Sequence, residues 1–513
     1  MTSTLAFFER ARSFGERPAI VDPDGTYSYR DLVDAAVRVA AVVTQHVDSS
    51  EAEPRVAFLV PPSFDYAAVM WGVWRAGGIA VPLALAYPQP ELEYAVGECD
   101  AALLIADPEL APRLEPIARE RRIPLLGTDA VLVAGSAGQA GSQVPAVDPR
   151  QGALILFTSG TTGRPKGAVL THANVQAQVE SLAQAWAWSR DDRILEILPL
   201  HHLHGIINIL SCALWSGALC EILPRFDAEE VWNRILGGRI TLLMAVPTIY
   251  VRLIAAWEAA GDDRRRTLSR AVRGLRLMVS GSAALPVPVL ESWRRISGQV
   301  LLERYGMTEI GMALSNPLDG ERVAGAVGAP LPGVEVRIVG EDGRPLGDDE
   351  AGEVEVRGPT VFREYWRRDQ ATRESFRRDA WFRTGDVGIR EQGVYRLLGR
   401  QSVDIIKCGG EKISALEIES VLAGHPAIRD CAVVGMPDPE WGHRVAAAVV
   451  LEDGTALDLD GLRGWCKERL AVYKVPSALH LLDELPRNAM GKVTKPAVAE
   501  LISEDLPPAP RVP

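Results

Sequence analysis

Cysteine is scarce and scattered. The six residues Cys99, Cys212, Cys220, Cys408, Cys431 and Cys466 include no Cys-x-x-Cys pair, so neither a zinc ribbon nor a disulfide framework is indicated and a reducing, cytoplasmic setting is expected. No run of lysine or arginine stands out, and the balance is acidic, with a net charge of -12. That argues against nucleic acid or an anionic membrane as the main partner. Long apolar runs are missing too. The most apolar stretch, Gly77 to Tyr87, is interrupted by Pro82 and falls well short of the ~20 residues that span a bilayer. Met1 to Arg10 has no basic start and too short an apolar run for a secretion signal. No solenoid-type repeat is visible. Small molecules remain as the expected partners.

What is present is an alternation of element types. The 513 residues exceed what one core usually holds, so at least two domains are expected. Ser28 can cap a helix through Ala35 to Ala40. Strands are predicted at Arg55–Val60, Ile79–Pro82 and Ala102–Ile105, with helices at Phe64–Ala76 and Glu91–Cys99 between them. The rhythm resumes with helix His172–Trp188 and runs through helix Ile206–Trp215 to strands Leu275–Ser280 and Val300–Glu303. Such repetition implies α/β architecture with a parallel sheet. From about Val327 to 400 short strands predict a small β-barrel-like unit. A second, smaller α+β domain is expected over 402–513, after an N-terminal domain over 1–401. The connector at Gly399-Arg400-Gln401-Ser402 is too short to be a tether, and a short connector behaves as a hinge, which makes the second domain mobile.

The chain is organised around Thr158-Ser159-Gly160-Thr161-Thr162-Gly163-Arg164-Pro165-Lys166-Gly167, a polar loop between the apolar runs Ala153–Phe157 and Ala168–Leu170. Its glycines let backbone approach an anion, its hydroxyls donate, and Arg164 and Lys166 bring positive charge. It is no Walker A motif, because no Gly-Lys-Ser/Thr closes it and no helix follows. A hairpin that cradles the phosphates of a nucleotide is expected.

Three further stretches carry chemistry. Tyr305-Gly306-Met307-Thr308-Glu309 follows the strand predicted at Val300–Glu303, at a sheet end where α/β ligand crevices form. There Thr308 offers a hydroxyl to phosphate and Glu309 a carboxylate to magnesium. Thr384-Gly385-Asp386 ends another strand-like run; Asp386 suits the two hydroxyls of a ribose, with Arg400 as a donor to the same sugar. Asn488 to Lys492 is a turn-forming segment that exposes one lysine.

These four stretches, in this order, resemble the adenylate-forming superfamily of acyl-CoA synthetases, luciferases and peptide-synthetase adenylation domains, and the likeness covers nearly the whole chain. The resemblance implies a ligase that joins an acid to ATP as an acyl-adenylate and then to a thiol. It implies that Thr158, Ser159, Gly160, Thr161, Thr162 and Lys166 hold the β- and γ-phosphates, Thr308 the α-phosphate, Glu309 a Mg²⁺ ion, and Asp386 with Arg400 the ribose. Lys492 would bridge the reacting carboxylate and the α-phosphate. The hinge falls at or next to Ser402, and Lys407, Gly409 and Gly410 would border the tunnel for coenzyme A. Glu411 stands where the family more often has an aromatic.

The acid is read from the residue before Tyr305. Members that take aromatic or fatty acids commonly have glycine there; this chain has Arg304. A buried guanidinium is costly without a counter-charge, and the second carboxylate of a dicarboxylic acid would supply one. The alternative is that Arg304 turns away and pairs with Glu303 or another carboxylate. In Leu198 to Gly205 three histidines lie close together without acidic or cysteine companions, so zinc is not expected. The family places His202 beside the reacting carboxylate, which leaves His204 for the distal one. With Leu277 to Pro286, which contains Ser280, these stretches look most like malonyl-CoA synthetases. Methylmalonate is the second substrate implied, with Met307 and Ile206 as the residues that meet its methyl group. The readings left open are a monocarboxylate ligase of the same fold, a non-catalytic nucleotide-binding protein, and a carrier-protein pantetheine as the acceptor.

Overall fold

The computed structural model describes residues 5–47, 53–133, 146–158, 165–408, 411–438, 441–487 and 493–505. Two large sheets dominate. In a nine-stranded sheet the strands Leu302–Met307, Leu277–Ser280, Leu242–Ala245, Arg193–Glu196, Leu219–Ile222 and Pro18–Asp22 run parallel, and antiparallel strands close both edges. In a seven-stranded sheet Leu125–Gly127, Leu103–Ala106, Arg55–Leu59, Ile79–Pro82 and Gly152–Thr158 are parallel, and Lys166–Thr171 with Glu364–Tyr365 continue antiparallel. Arg55–Leu59, Ile79–Pro82, Leu103–Ala106 and Leu277–Ser280 are buried at every position, as parallel strands covered on both faces must be.

Local chemistry fixes the helices that cover them. Ser28 caps helix Tyr29–His46 as expected, in a reciprocal box with Asp31 that satisfies two otherwise free backbone donors. The next helix, Phe64–Arg75, crosses it so closely at Gly72 that an added Cβ would lie 2.4 Å from Val39. No helix among the described residues is long and apolar enough to cross a membrane. All six cysteines are free.

The β-rich unit is a four-stranded antiparallel sheet, Glu335–Val339, Gly352–Arg357, Phe382–Glu391 and Val394–Arg400. Beyond it the chain builds another sheet whose two faces have separate cores. Ile413, Ile418, Val433, Val449 and Leu462 pack on one side; Val434, Ala448, Leu485, Val498 and Ile502 pack on the other. Val433 and Val434 face opposite ways, the alternation that a strand imposes.

Three local expectations shift. Thr384-Gly385-Asp386 does not end a strand but lies inside Phe382–Glu391. The strand expected to stop at Glu303 runs on to Met307 and turns back as Gly311–Ser315. The helix expected to start at Ile206 begins at His204 and is wound with i→i+5 bonds to Ser211 before Cys212–Ser216 continues it as an α-helix. Such wide turns occur mostly at functional sites.

Candidate active site

The phosphate-type loop closes a hairpin, as its composition implies. Thr158 and Lys166 are register partners on strands Gly152–Thr158 and Lys166–Thr171. Tyr94 donates its hydroxyl to the Pro165 carbonyl at 2.7 Å and so anchors the end of the loop. Ser159, Gly160, Thr161 and Thr162 lie outside the described residues. Lys166 holds its ammonium 4.5 Å from the centre of the Tyr365 ring, a cation–π distance.

Glu309 sits at the tip of the second hairpin, between Leu302–Met307 and Gly311–Ser315. Gly306 makes that hairpin possible, because a Cβ there would lie 2.1 Å from the Gly311 carbonyl oxygen. Glu309 is 4 % exposed, and burial raises its pKa. Tyr365 donates its hydroxyl to Glu309 Oε1 at 2.8 Å. Lys166 and Arg400 both lie close enough to pull the pKa of Glu309 back down.

Asp386 and Arg400 are directly opposed across the strand pair Phe382–Glu391 and Val394–Arg400. Arg400 Nε donates to Asp386 Oδ1 at 2.8 Å, and the Tyr305 hydroxyl donates to Oδ2 at 2.6 Å. Burial pulls the Arg400 pKa down, but Asp386, with Tyr305 and Glu309 beside it, outweighs burial and the net shift is upward. Tyr305 therefore joins the hairpin that carries Glu309 to the residues expected to hold ribose. Thr384 supports the turn by accepting from the Asp386 N–H at 3.0 Å.

The expected acid wall lies behind this group. Arg304 is 3 % exposed, and burial lowers its pKa to about 9. Glu303 points to the other face of the strand, accepts from the Gly325 N–H, and is pushed by burial to about 7; it does not pair with Arg304. No carboxylate among the described residues pairs with Arg304. Its Nη2 donates to Ser282 Oγ at 3.3 Å, and Ser282 Oγ lies 3.3 Å from His204 Nδ1. Because Ser282 accepts from Arg304, its own hydrogen is free for Nδ1, which places the neutral imidazole's proton on Nε2. Burial first, then the Arg304 charge, holds His204 well below its usual pKa. His204 Nε2, Arg304 Nε and Ser280 Oγ are all buried and unpartnered among the described residues. Arg304 and His204 share Ser282 as a partner, and an anion would satisfy the donors that they leave free.

Ile206 is fully buried next to this wall in sequence, and Met307 is half-buried at the end of its strand. The His202 ring lies 4.0 Å from that of His201, whose pKa burial lowers to about 3. Ser402 and Lys407 are exposed. Gly409, Gly410 and Lys492 lie outside the described residues. Two residues at the site escaped the sequence reading. Ser282 had no marker beyond a Ser-Gly-Ser run, and Tyr365 reaches the site only through the tertiary fold.

Comparison with known proteins gives the family. The chain matches the AMP-binding enzyme family over residues 7–366 and the AMP-binding enzyme C-terminal domain over 417–492. The human mitochondrial malonate–CoA ligase ACSF3 is 44% identical, with 96% of this chain and 91% of that protein covered. ATP-bound MatB from Rhodopseudomonas palustris superposes with a TM-score of 0.88 at 33% identity, covering 98% of this chain and 99% of that one. A malonyl-CoA ligase in a ternary product complex with methylmalonyl-CoA and AMP gives 0.68 at 35% identity, over 94% of this chain and 100% of that one. The chain belongs to the AMP-binding enzyme family and is an AMP-forming acyl-CoA ligase, taking an acid, ATP and coenzyme A as its substrates.

Proposed function

We propose that the acid is malonate, with methylmalonate as a second substrate. The observation that carries this is Arg304, a buried guanidinium that pairs with no carboxylate among the described residues and shares Ser282 with His204, whose Nε2 is also unpartnered among them. The distal carboxylate of a short diacid fits that gap, with Ser282 holding Arg304 and His204 in place. Ile206 and Met307 would meet the methyl of methylmalonate, which an apolar wall discriminates only weakly. The names of the human relative and of the product complex support the same acid class.

In the first half-reaction an oxygen of the near carboxylate, beside His202, bonds to the α-phosphorus of ATP as the bond to pyrophosphate breaks. Thr158, Ser159, Gly160, Thr161, Thr162 and Lys166 hold the β- and γ-phosphates, Thr308 the α-phosphate, and Asp386 with Arg400 the ribose. Lys492 stabilises charge between carboxylate and α-phosphate. The site fits magnesium: Glu309 is a buried carboxylate with one oxygen already oriented by Tyr365, a hard oxygen donor of the kind Mg²⁺ takes alongside phosphates and water. When bound, that ion offsets phosphate charge. In the second half-reaction the thiol sulfur bonds to the acyl carbon, the bond to AMP breaks, and the thiol proton leaves to solvent. Lys407, Gly409 and Gly410 border the thiol's path after the domain 402–513 turns about Ser402. A carrier-protein pantetheine presents the same thiol arm and is the alternative acceptor.

Malonate-dependent exchange of labelled pyrophosphate into ATP tests this. Wild type should support exchange with malonate and methylmalonate but weakly with acetate or butyrate, and Arg304→Gly should lose malonate-dependent exchange while retaining ATP binding. Unchanged malonate kinetics in Arg304→Gly would overturn the choice of acid. The six free cysteines suit a reducing compartment, and we place the chain in the cytoplasm; cell fractionation checks this against the mitochondrial location in the relative's name.

A further inference from the structure

We infer that Tyr365 is a positioning residue that keeps Lys166 and Glu309 apart and separately poised, the lysine for phosphate and the carboxylate for the metal; this rests on the roles proposed above for those two residues. Tyr365 is 7 % exposed and contacts both of them. Its hydroxyl donates to Glu309 Oε1 at 2.8 Å, and its ring face carries the Lys166 ammonium at 4.5 Å from the centroid. One side chain thus touches both groups.

Its own placement is strongly determined. Strand Glu364–Tyr365 pairs antiparallel with the return strand of the phosphate hairpin, Tyr365 opposite Ala168. Arg363 N–H donates to Val169 O at 2.9 Å and Trp366 N–H to Gly167 O at 2.8 Å. Three residues earlier Phe362 N–H donates to Glu309 O at 2.8 Å, and Thr360 Oγ1 to Ile310 O at 2.8 Å. The segment therefore stitches the tip of one hairpin to the base of the other, and Tyr365 projects at the seam.

An ammonium and a buried carboxylate that contact the same side chain attract each other, and a direct pair would take both out of use. The phenol intervenes in two ways. Its ring offers the cation a weaker resting place that phosphate oxygens outcompete. Its hydroxyl engages one carboxylate oxygen, fixes the plane of the carboxylate and leaves the other oxygen for a metal, as a hydrogen-bonding neighbour does for a metal ligand.

Calorimetric titration of ATP in the absence of acid and coenzyme A, over a range of Mg²⁺ concentrations, tests this without turnover, with AMP as the control ligand. Tyr365→Phe keeps the ring and removes the hydroxyl. It should raise the Mg²⁺ concentration needed for tight ATP binding by about tenfold, the effect of losing one hydrogen bond to a charged group, while AMP binds as in wild type. Tyr365→Leu should weaken metal-free ATP binding as well, because Lys166 is released onto Glu309. An unchanged Mg²⁺ requirement in Tyr365→Phe overturns the inference, and so does equal weakening of AMP and ATP, which would mark a general packing role. Glu309→Gln measured in parallel separates the two levels. If Glu309→Gln raises the Mg²⁺ requirement and Tyr365→Phe does not, only the role of Tyr365 fails. If neither does, the assignment of Glu309 fails with it.

Discussion

Arg304 is held where a charge is expensive, and the surrounding residues are shaped to keep it there. Ser282, which receives its Nη2, has φ +69, a left-handed conformation that costs a non-glycine residue on the order of 1–3 kcal/mol and persists when neighbours over-determine it. Gly281 lies directly against the guanidinium, and a Cβ there would sit 2.6 Å from Arg304 Cζ. The absence of a side chain at 281 is thus part of the proposed acid wall. Gly281→Ala should displace the guanidinium from the distal carboxylate, raising the KM for malonate about tenfold, equivalent to about 1.4 kcal/mol, with the KM for ATP unchanged. Steady-state kinetics with each substrate varied in turn reads this directly. An unaltered malonate KM would mean that the guanidinium moves aside without consequence and does not bind the acid.

At the scale of elements, the candidate site stands where two largely parallel sheets turn antiparallel at an edge. The hairpin Gly152–Thr171 was legible because a polar Gly/Thr loop between two apolar runs permits little else. The hairpin Leu302–Ser315 was not. Its first strand contains Arg304 and the Tyr305-Gly306-Met307 start of the Tyr-Gly-Met-Thr-Glu stretch, which period and apolarity alone read as a loop. Asp386 and Arg400 were both legible as candidates, yet their opposition depends on a register irregularity between Val387 and Gly388 that no local pattern announces. Tyr365 and Ser282 were invisible for a related reason: a two-residue strand and a strained turn owe their form to the tertiary structure. The element that follows the first hairpin has a consequence for stability. Helix His172–Ala185 begins with a histidine that is 6 % exposed, edge-on to Trp74 at 5.7 Å, with Nε2 unpartnered among the described residues. Burial lowers its pKa from 6.5 to about 3, although the nearby Glu53 pulls upward. Between those values the unfolded chain binds a proton that the folded chain refuses, so stability is full above about pH 6.5 and falls as the pH drops through that window, by on the order of 4 kcal/mol at its acid end. Urea unfolding at a series of pH values should therefore show a shallower acid-side decline in His172→Phe than in wild type. Identical slopes would assign the acid sensitivity elsewhere.

For the whole molecule the question is what changes when the proposed domain 402–513 turns. The contacts around Ser402 sort into those that would turn with the domain and those that would break. Lys495 Nζ lies 2.5 Å from Asp404 Oδ1 and 2.8 Å from Glu419 Oε1, all three largely buried and all beyond Ser402 in the chain, so this triad would move as one body. Among the described residues four bonds cross the proposed pivot: the Val403 and Asp404 N–H groups to the Arg400 carbonyl at 3.2 and 2.8 Å, Arg400 N–H to Asp404 Oδ2 at 2.9 Å, and Ser414 Oγ to the Leu398 carbonyl. Each is worth about 1 kcal/mol or somewhat more, enough to bias the resting arrangement and too little to lock it. Backbone freedom at 402 is then the requirement, and Ser402→Pro removes it by fixing φ. The variant should keep malonate-dependent pyrophosphate exchange within a few-fold of wild type. Transfer of a preformed malonyl-adenylate to coenzyme A should fall by about a hundredfold, close to 3 kcal/mol in barrier, because only that step needs the turned domain. Single-turnover measurement of the two steps separates them. Equal loss in both would show that the substitution damages the site itself, and no loss in either would place the pivot elsewhere in the connector.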